Sequence, residues 1–381
     1  MVIQSFPPVL GGAQRQVERL APHLERRGVE VSVVTRRPPG TAAWERNAGY
    51  TLYRIGVPPF AAGASIAYTA RGTAVVVRLR PDVVHVHDLL SPGSIGIAAG
   101  LLTRAPVVAK VLTAGPGGDL ERLIAKPLGG PRLLVMARRF ATFICLSEEI
   151  ERELTRYGVP PERMTRIPNG VDTNRFRPPR AGEREAARRE LGMPREDFLA
   201  VYCGRFTPSK RLDVLVEAFH GVPGRLLLVG AGPEDERLRM LASDPALEGR
   251  VLLKATVDDP APIHRAADVY ASASRAEGMS GSVLEAMATG LPVVASPASG
   301  MSELIGANRA GVLLEDERPS SLRRALVEMA SDPDRRSAIG AEGRRVVLRD
   351  YSLETMADRL LGLYESVSAR SRSAFGSGAP S

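Results

Sequence analysis

The chain has 381 residues, 44% of them hydrophobic and 25% charged, and a net charge of +8. That length exceeds what one hydrophobic core usually supports, so two domains are expected, and the composition is that of a globular protein rather than a disordered or fibrous one. No apolar run reaches the roughly 18 residues of a membrane span, and "MVIQSFPPVLGG" lacks the charged start and apolar centre of a signal peptide, which points to a cytoplasmic location.

After an opening strand, "GAQRQVERLAPHLERRG" (12–28) carries a helical pattern. Strand-like apolar runs follow in "VEVSVVT" (29–35), "PDVVHVHD" (81–88), "PVVAKVL" (106–112) and "ATFICLS" (141–147), with a helical pattern in "SEEIERELTRYG" (147–158). Near-continuous Val, Leu and Ile mark strands covered on both faces, as in parallel sheets. The segment "RIPNGVDTNRFRPPRAGERE" (166–185), rich in Pro, Asn, Gly and charge, reads as a connection between domains. Beyond it the alternation resumes: strands in "FLAVYCG" (198–204), "GRLLLVG" (224–230), "RVLLKA" (250–255), "ADVYASAS" (267–274) and "LPVVAS" (291–296), helices in "RLDVLVEAFH" (211–220) and "SSLRRALVEMASD" (320–332). This order, present twice, predicts an α/β fold of two Rossmann-like doubly wound domains facing a cleft. The expected bounds are 1–175 and 176–350, with a C-terminal helix over 351–368 packing back on the first domain and a disordered tail over 369–381. Cys145 and Cys203 each lie inside an apolar run, so buried thiols are expected and neither a disulfide framework nor a zinc site.

Open α/β folds bind ligands at the carboxyl ends of their strands, so the chemistry is expected on the strand-to-helix loops. Gly11 and Gly12 precede the first helix, where backbone amides can face an anion. "GRFTPSKR" (204–211) places Arg205 and Lys210 between a strand and a helix, a fork and a point charge suited to phosphate oxygens. "VGAGPEDE" (229–236) fails the dinucleotide fingerprint because Asp235 stands where a third glycine is needed. In "EGMSGSVLEAMATGLPVVAS" (277–296), Glu277 ends a strand and Gly278, Met279, Ser280 and Gly281 turn into the helix carrying Glu285. In "HVHD", His85 and His87 share a face of one strand and Asp88 lies at its end, but no third residue completes a metal site. "DPD" (332–334) follows a helix in a turn and is set aside as a metal motif.

Taken together, the early "GG", "IPNGVD" (167–172), "GRFTPSKR", "LLLVGAGPEDERL" (226–238) and the two glutamates ahead of "PVVAS" resemble a family 4 retaining glycosyltransferase with a GT-B fold, over about residues 3 to 366. The resemblance implies transfer of a sugar from a nucleotide-sugar donor, commonly a uridine diphosphate sugar, with the anomeric configuration retained. It implies no cofactor and no catalytic metal. By the same resemblance, Arg205, Lys210 and Glu277 are the catalytic candidates. Gly11, Gly12, Arg205, Lys210, Glu277, Gly278, Met279, Ser280, Gly281 and Glu285 contact the donor, Glu285 holding the ribose hydroxyls and Glu277 those of the sugar. Two departures stand out. Met279 and Ser280 replace a commoner Phe-Gly, and Leu112 occupies what looks like the place of a histidine that many relatives carry near donor sugar and acceptor. Asp119 and Lys110 are the candidate replacements, and with His87 and Asp88 they form the acceptor candidates. The two-domain architecture also suits a nucleotide-sugar epimerase, a sugar phosphorylase or a non-catalytic nucleotide-sugar binder.

Charge is divided unevenly. Residues 1–175 hold 23 basic and 14 acidic side chains, a net of +9, and residues 176–381 hold 28 and 29, a net of −1. Within the basic half, "KPLGGPRLLVMARRF" (126–140) sets Arg132, Arg138 and Arg139 beside Leu133, Leu134, Met136 and Phe140, the pattern of a basic amphipathic helix. An anionic acceptor or an anionic membrane surface fits that half, with a lipid-linked acceptor, a polysaccharide or a small-molecule scaffold as the acceptor classes and peripheral contact with the inner face of the membrane. No nucleic-acid recognition motif accompanies the charge.

Overall fold

A computed structural model gives the conformation of residues 1–9, 11–58, 61–115, 117–275, 279–298, 300–306 and 310–376. The chain forms two compact units, Met1–Asn169 together with the segment from Leu353 onward, and Gly170–Ser352.

In chain order the first unit contains β1 (Val2–Ile3), α1 (Gly12–Glu25), β2 (Ser32–Arg36), β3 (Trp44–Asn47), β4 (Tyr50–Ile55), α2 (Ala61–Leu79), β5 (Val84–His87), α3 (Ser91–Thr103), β6 (Val107–Val111), α4 (Asp119–Ile124), α5 (Gly129–Arg139), β7 (Thr142–Cys145), α6 (Glu148–Arg156) and β8 (Met164–Arg166). Its sheet runs β3-β4-β2-β1-β5-β6-β7-β8 and is parallel except for the β3–β4 edge. From β1 the chain winds first towards β2 and then, at β5, in the opposite sense. The crevice of this unit therefore opens between the carboxyl ends of β1 and β5.

The second unit contains α7 (Glu183–Glu190), β9 (Leu199–Cys203), α8 (Leu212–Ala218), β10 (Arg225–Val229), α9 (Asp235–Ala242), β11 (Val251–Lys254), α10 (Ala261–Ala266), β12 (Val269–Ser272), α11 (Gly281–Ala288), β13 (Val293–Ala295), β14 (Val312–Leu313), α12 (Pro319–Ser331) and α13 (Pro333–Asp350). Its sheet is wholly parallel in the order β11-β10-β9-β12-β13-β14, with the reversal between β9 and β12. Every residue of β9, β12 and β13 is buried, as their uninterrupted apolar sequences require for strands covered on both faces.

Helix α14 (Leu353–Gly376) returns to the first unit, where Leu353, Met356, Ala357, Leu360 and Val367 join the core formed by α1 and the sheet. It extends through residues 369–376, a stretch expected to be disordered; Ser, Ala and Arg there leave an established helix free to propagate. Asp332 caps α13 by accepting the Arg335 N–H at 2.9 Å, which accounts for "DPD". Both cysteines are buried and reduced. Among the described residues no helix is long and apolar enough to cross a membrane.

Helix α5 buries Leu133, Met136 and Ala137 and turns Leu134, Val135, Arg138 and Arg139 outward, with Leu128 just before it 72% exposed. Arg132 departs from the expected outward basic face. Its guanidinium donates to the carbonyls of Leu89 and Leu90 and to Ser94 Oγ, tying the β5–α3 loop to α5.

Candidate functional site

The reversal point of the second sheet gathers two loops. After β9, Gly204 donates to the Val229 carbonyl at 3.0 Å and the buried Phe206 to that of Ala231 at 3.0 Å, so Arg205 between these anchors is held outward and exposed. No described residue pairs with its guanidinium. Gly230 and Gly232 make the arrangement possible, because a Cβ on either would overlap a backbone carbonyl, of Gly204 and Phe206 respectively. The glycines of "GAG" thus serve loop packing rather than a dinucleotide. A short 3-10 turn, Pro208–Lys210, then places Lys210 half-buried ahead of α8.

The loop after β12 lies alongside, since the Arg275 N–H donates to the Ser209 carbonyl at 2.9 Å. Glu317 ties the two together through Arg211 at 3.2 Å and Arg275 at 3.3 Å, a bridge that carried no sequence signal. Glu277 and Gly278 lie outside the described residues. Met279 packs against the core, Ser280 opens α11, and Gly281 is exposed with open space where a Cβ would stand. The first turn of α11 contains no acidic residue, so its amino end keeps its affinity for an anion. One turn on, Glu285 is almost fully buried with Oε2 4.0 Å from His264 Nε2. Burial pushes His264 down to about 3, so its imidazole is neutral. Burial pushes the Cys203 thiol up and the charge of Glu285 adds to this, which puts that carboxylate near the last residue of β9.

A pocket lined by Arg184, Arg188, Asp268 and Arg336 lies instead at the amino ends of β9 and β12. Its charges are paired internally, Asp268 meeting Arg184 at 2.5 Å and Arg188 at 2.7 Å.

The remaining candidates belong to the first unit. Gly11 is the extended N-cap of α1 and Gly12 its exposed first residue, again without an acidic residue in the first turn. They belong to the first unit, whereas the other donor candidates belong to the second. His87, an acceptor candidate, packs inside the first unit. It is buried and stacks on His85 at 4.2 Å, while His85 Nδ1 meets the Tyr364 hydroxyl of α14 at 2.6 Å; burial pushes both imidazoles well below their usual range. Their place is the interior. Lys110, only 1% exposed, donates to Asn169 Oδ1 of "IPNGVD" at 2.8 Å, and burial pushes it down to about 7. Asp119, also 1% exposed, accepts the N–H groups of Leu112 at 2.6 Å and Thr113 at 3.3 Å and pairs with Arg122. Both of its oxygens bond to residues of the Gly-rich loop and so hold that loop closed.

Asp88 stands at the open end of β5 with φ 102°, a left-handed conformation uncommon for a residue with a side chain. Its Oδ1 accepts the Leu90 N–H at 2.6 Å. Burial pushes this carboxyl up to about 6, with Asp119 adding and Arg122 and Arg36 opposing. Among the described residues no three His, Cys, Asp or Glu side chains form a metal-binding group.

Residues 10–175 match Glycosyltransferase Family 4, and residues 183–346 match Glycosyl transferases group 1. The D-inositol 3-phosphate glycosyltransferase of Xylanimonas cellulosilytica is 30% identical over 393 residues, spanning 94% of this chain and 93% of that protein. The chain belongs to glycosyltransferase family 4. This family 4 glycosyltransferase is also 27% identical to the GDP-mannose-dependent monoacylated alpha-(1-6)-phosphatidylinositol monomannoside mannosyltransferase of Corynebacterium glutamicum, across 96% of this chain and 97% of that one. Among solved structures it resembles sucrose-phosphate synthase from Thermosynechococcus elongatus, with a TM-score of 0.82 at 23% identity over 97% of this chain and 99% of that one. HepE from Anabaena, solved with UDP and glucose, gives 0.80 at 18% over 96% and 99%. The fold is GT-B, and the enzyme is a hexosyltransferase that takes its sugar from a nucleotide-sugar donor.

Proposed function

We propose that this glycosyltransferase moves a hexosyl group from a uridine diphosphate sugar to an acceptor hydroxyl with retention of anomeric configuration and without a metal. The observation that carries the reading is the meeting, at the β9/β12 reversal, of the Arg205–Lys210 loop, the acid-free amino end of α11 and the buried Glu285. Arg205 and Lys210 oppose the charge that grows on the departing diphosphate. Glu285 holds the ribose hydroxyls, and Glu277, by resemblance to the family, those of the sugar. In a front-side displacement the bond from the anomeric carbon to the acceptor oxygen forms on the face where the bond to phosphate breaks, and the acceptor proton passes to the leaving phosphate oxygen. Such a step asks the protein for positioning and charge stabilisation rather than a dedicated base.

The acceptor side favours anionic chemistry. The basic half of the chain has a net charge of +9, and relatives named for inositol 3-phosphate and for a phosphatidylinositol mannoside act on phosphorylated molecules. Leu128, Leu134 and Val135 beside Arg138 and Arg139 suit contact with an anionic membrane carrying such an acceptor.

A panel of UDP- and GDP-sugars tests the donor. A thermal shift with UDP, a retained product anomer by NMR and full activity in excess chelator are the expected results. A response to GDP alone overturns the uridine assignment, an inverted product the mechanism, and loss of activity in chelator the metal independence. Sedimentation with anionic vesicles at low salt is expected; protein that stays in the supernatant removes the membrane contact.

A further inference from the structure

His264, on α10, is fully buried, and neither of its ring nitrogens has a hydrogen-bond partner among the described residues. The ring is nonetheless confined. Phe176 meets it edge to face at 5.9 Å and 75°, and Tyr270 lies against it at 5.7 Å and 30°. Tyr270 is itself tied to the end of β9, where its hydroxyl donates to the Cys203 carbonyl at 3.2 Å. The charged residues closest to His264 in sequence are engaged elsewhere: Asp259 with Arg175 at 3.1 Å and with the Ala261 N–H at 3.0 Å, and Arg265 with the Arg175 carbonyl at 3.4 Å. Among the described residues the one carboxylate within ion-pair distance of His264 is that of Glu285, whose Oε2 stands 4.0 Å from Nε2.

A buried imidazole with two unmet nitrogens is costly, and an apolar side chain would occupy the same space without that cost. What an apolar side chain lacks is a donor. A neutral imidazole with its proton on Nε2 can donate to the carboxylate of Glu285 and leave that carboxylate charged. A carboxylate that clamps two neighbouring hydroxyls needs its plane held still, and a donor from the protein side fixes its rotation. The separation of 4.0 Å is too long for a hydrogen bond. A small turn of the carboxylate closes it, as long contacts in an empty site tighten once the ligand is bound.

We propose that His264 is a positioning residue for the donor: its Nε2–H donates to Glu285 Oε2 in the nucleotide complex and fixes the carboxylate on both ribose hydroxyls. The inference rests on the assignment of Glu285 to the ribose and names the residue that orients this contact.

The test measures dissociation constants of UDP and 2′,3′-dideoxy-UDP by titration calorimetry on the full chain, with GDP and its dideoxy form alongside because the ribose is common to both. The wild type should prefer the ribose form by about tenfold or more, as hydrogen bonds to a charged group imply, and Glu285→Ala should abolish that preference. His264→Phe should reduce it to about threefold or less, with Tm at or above the wild-type value because two unmet nitrogens leave the core. His264→Gln, which carries its amide nitrogen where Nε2 stood, should keep the preference within about twofold of the wild type. In the Glu285→Ala background His264→Phe should change nothing further. A side chain that merely packs would weaken ribose and dideoxy forms alike, so an intact preference in His264→Phe overturns the proposal. Equal loss in His264→Gln and His264→Phe does the same. Should His264→Phe fail to fold, His264→Leu is read in its place. A wild type without the preference, or a Glu285→Ala variant that keeps it, overturns the ribose assignment and the inference with it; loss in Glu285→Ala with retention in His264→Phe overturns the inference alone.

Discussion

At the scale of single residues, the crevice of the first unit has a measurable signature in Asp88. A carboxyl at about 6 when folded against an ordinary value near 4 keeps its proton over a range where the unfolded chain has released it. Its contribution to stability is therefore present below about pH 4 and is lost as pH rises to about 6, a penalty on the order of 2 kcal/mol at neutral pH. Asn retains the acceptor for the Leu90 N–H and tolerates the left-handed backbone. Asp88→Asn should thus raise Tm at pH 7.5 and leave it unchanged at pH 4; a gain independent of pH in thermal melts contradicts the assignment. On the donor side, Glu285→Ala should weaken nucleotide binding about tenfold or more, because ribose contacts are alike in ground and transition states. Arg205→Ala and Lys210→Ala should chiefly lower kcat, by about 10²-fold, since leaving-group charge develops only as the bond breaks. Steady-state kinetics with nucleotide titrations separate the two patterns. The loops that carry these proposed donor residues were legible because their motifs lie at the chain's own strand-to-helix turns. The partners of Asp119 and Lys110, the Leu112 and Thr113 amides and Asn169, carried no sequence signal because they are set by loop closure and tertiary packing.

At the scale of elements, strands buried on both faces were readable as apolar runs, and the alternation of strand and helix gave the doubly wound class. Helix α2 was not. Its segment Thr73–Val77 is rich in β-branched residues, and the helix rests on buried Tyr68 and Val76 rather than on local propensity. The antiparallel β3–β4 edge is nearly as silent, because β3 is mostly exposed and polar. The glycines of "VGAGPEDE" show the converse, a legible motif whose purpose emerges only from packing. Gly232 lies so close to the Phe206 backbone that Gly232→Ala must displace the loop carrying Arg205 and Lys210. The expected cost is about 1–3 kcal/mol, together with weaker nucleotide binding. An unchanged Tm and an unchanged dissociation constant would show that the two loops are not coupled.

At the scale of the molecule, the chain leaves the first unit after Asn169, builds the whole second unit, and returns at Leu353. The two units therefore depend on the chain ends differently. Helix α14 supplies Leu353, Met356, Leu360 and Val367 to the first core, with Arg27 meeting Asp358 at 2.6 Å and Tyr364 meeting His85. At roughly 1.5 kcal/mol or more for each buried apolar side chain, these four contribute on the order of 6 kcal/mol, comparable to the whole stability of a typical domain. The second core draws its residues from Val171 to Val347 and includes none from α14. Its proposed nucleotide residues, from Arg205 to Glu285, are likewise its own. A fragment spanning residues 170–352 should therefore fold cooperatively and bind the donor nucleotide, whereas removal of residues 353–381 from the full chain should leave the first unit unfolded or aggregated with nucleotide binding retained. Circular dichroism melts and nucleotide titrations on the fragment and the truncated chain provide the comparison. A truncated chain that melts as cooperatively as the full one, or a fragment unable to bind nucleotide, would mean that completion of the first core by α14 or the self-sufficiency of the donor site has been misread.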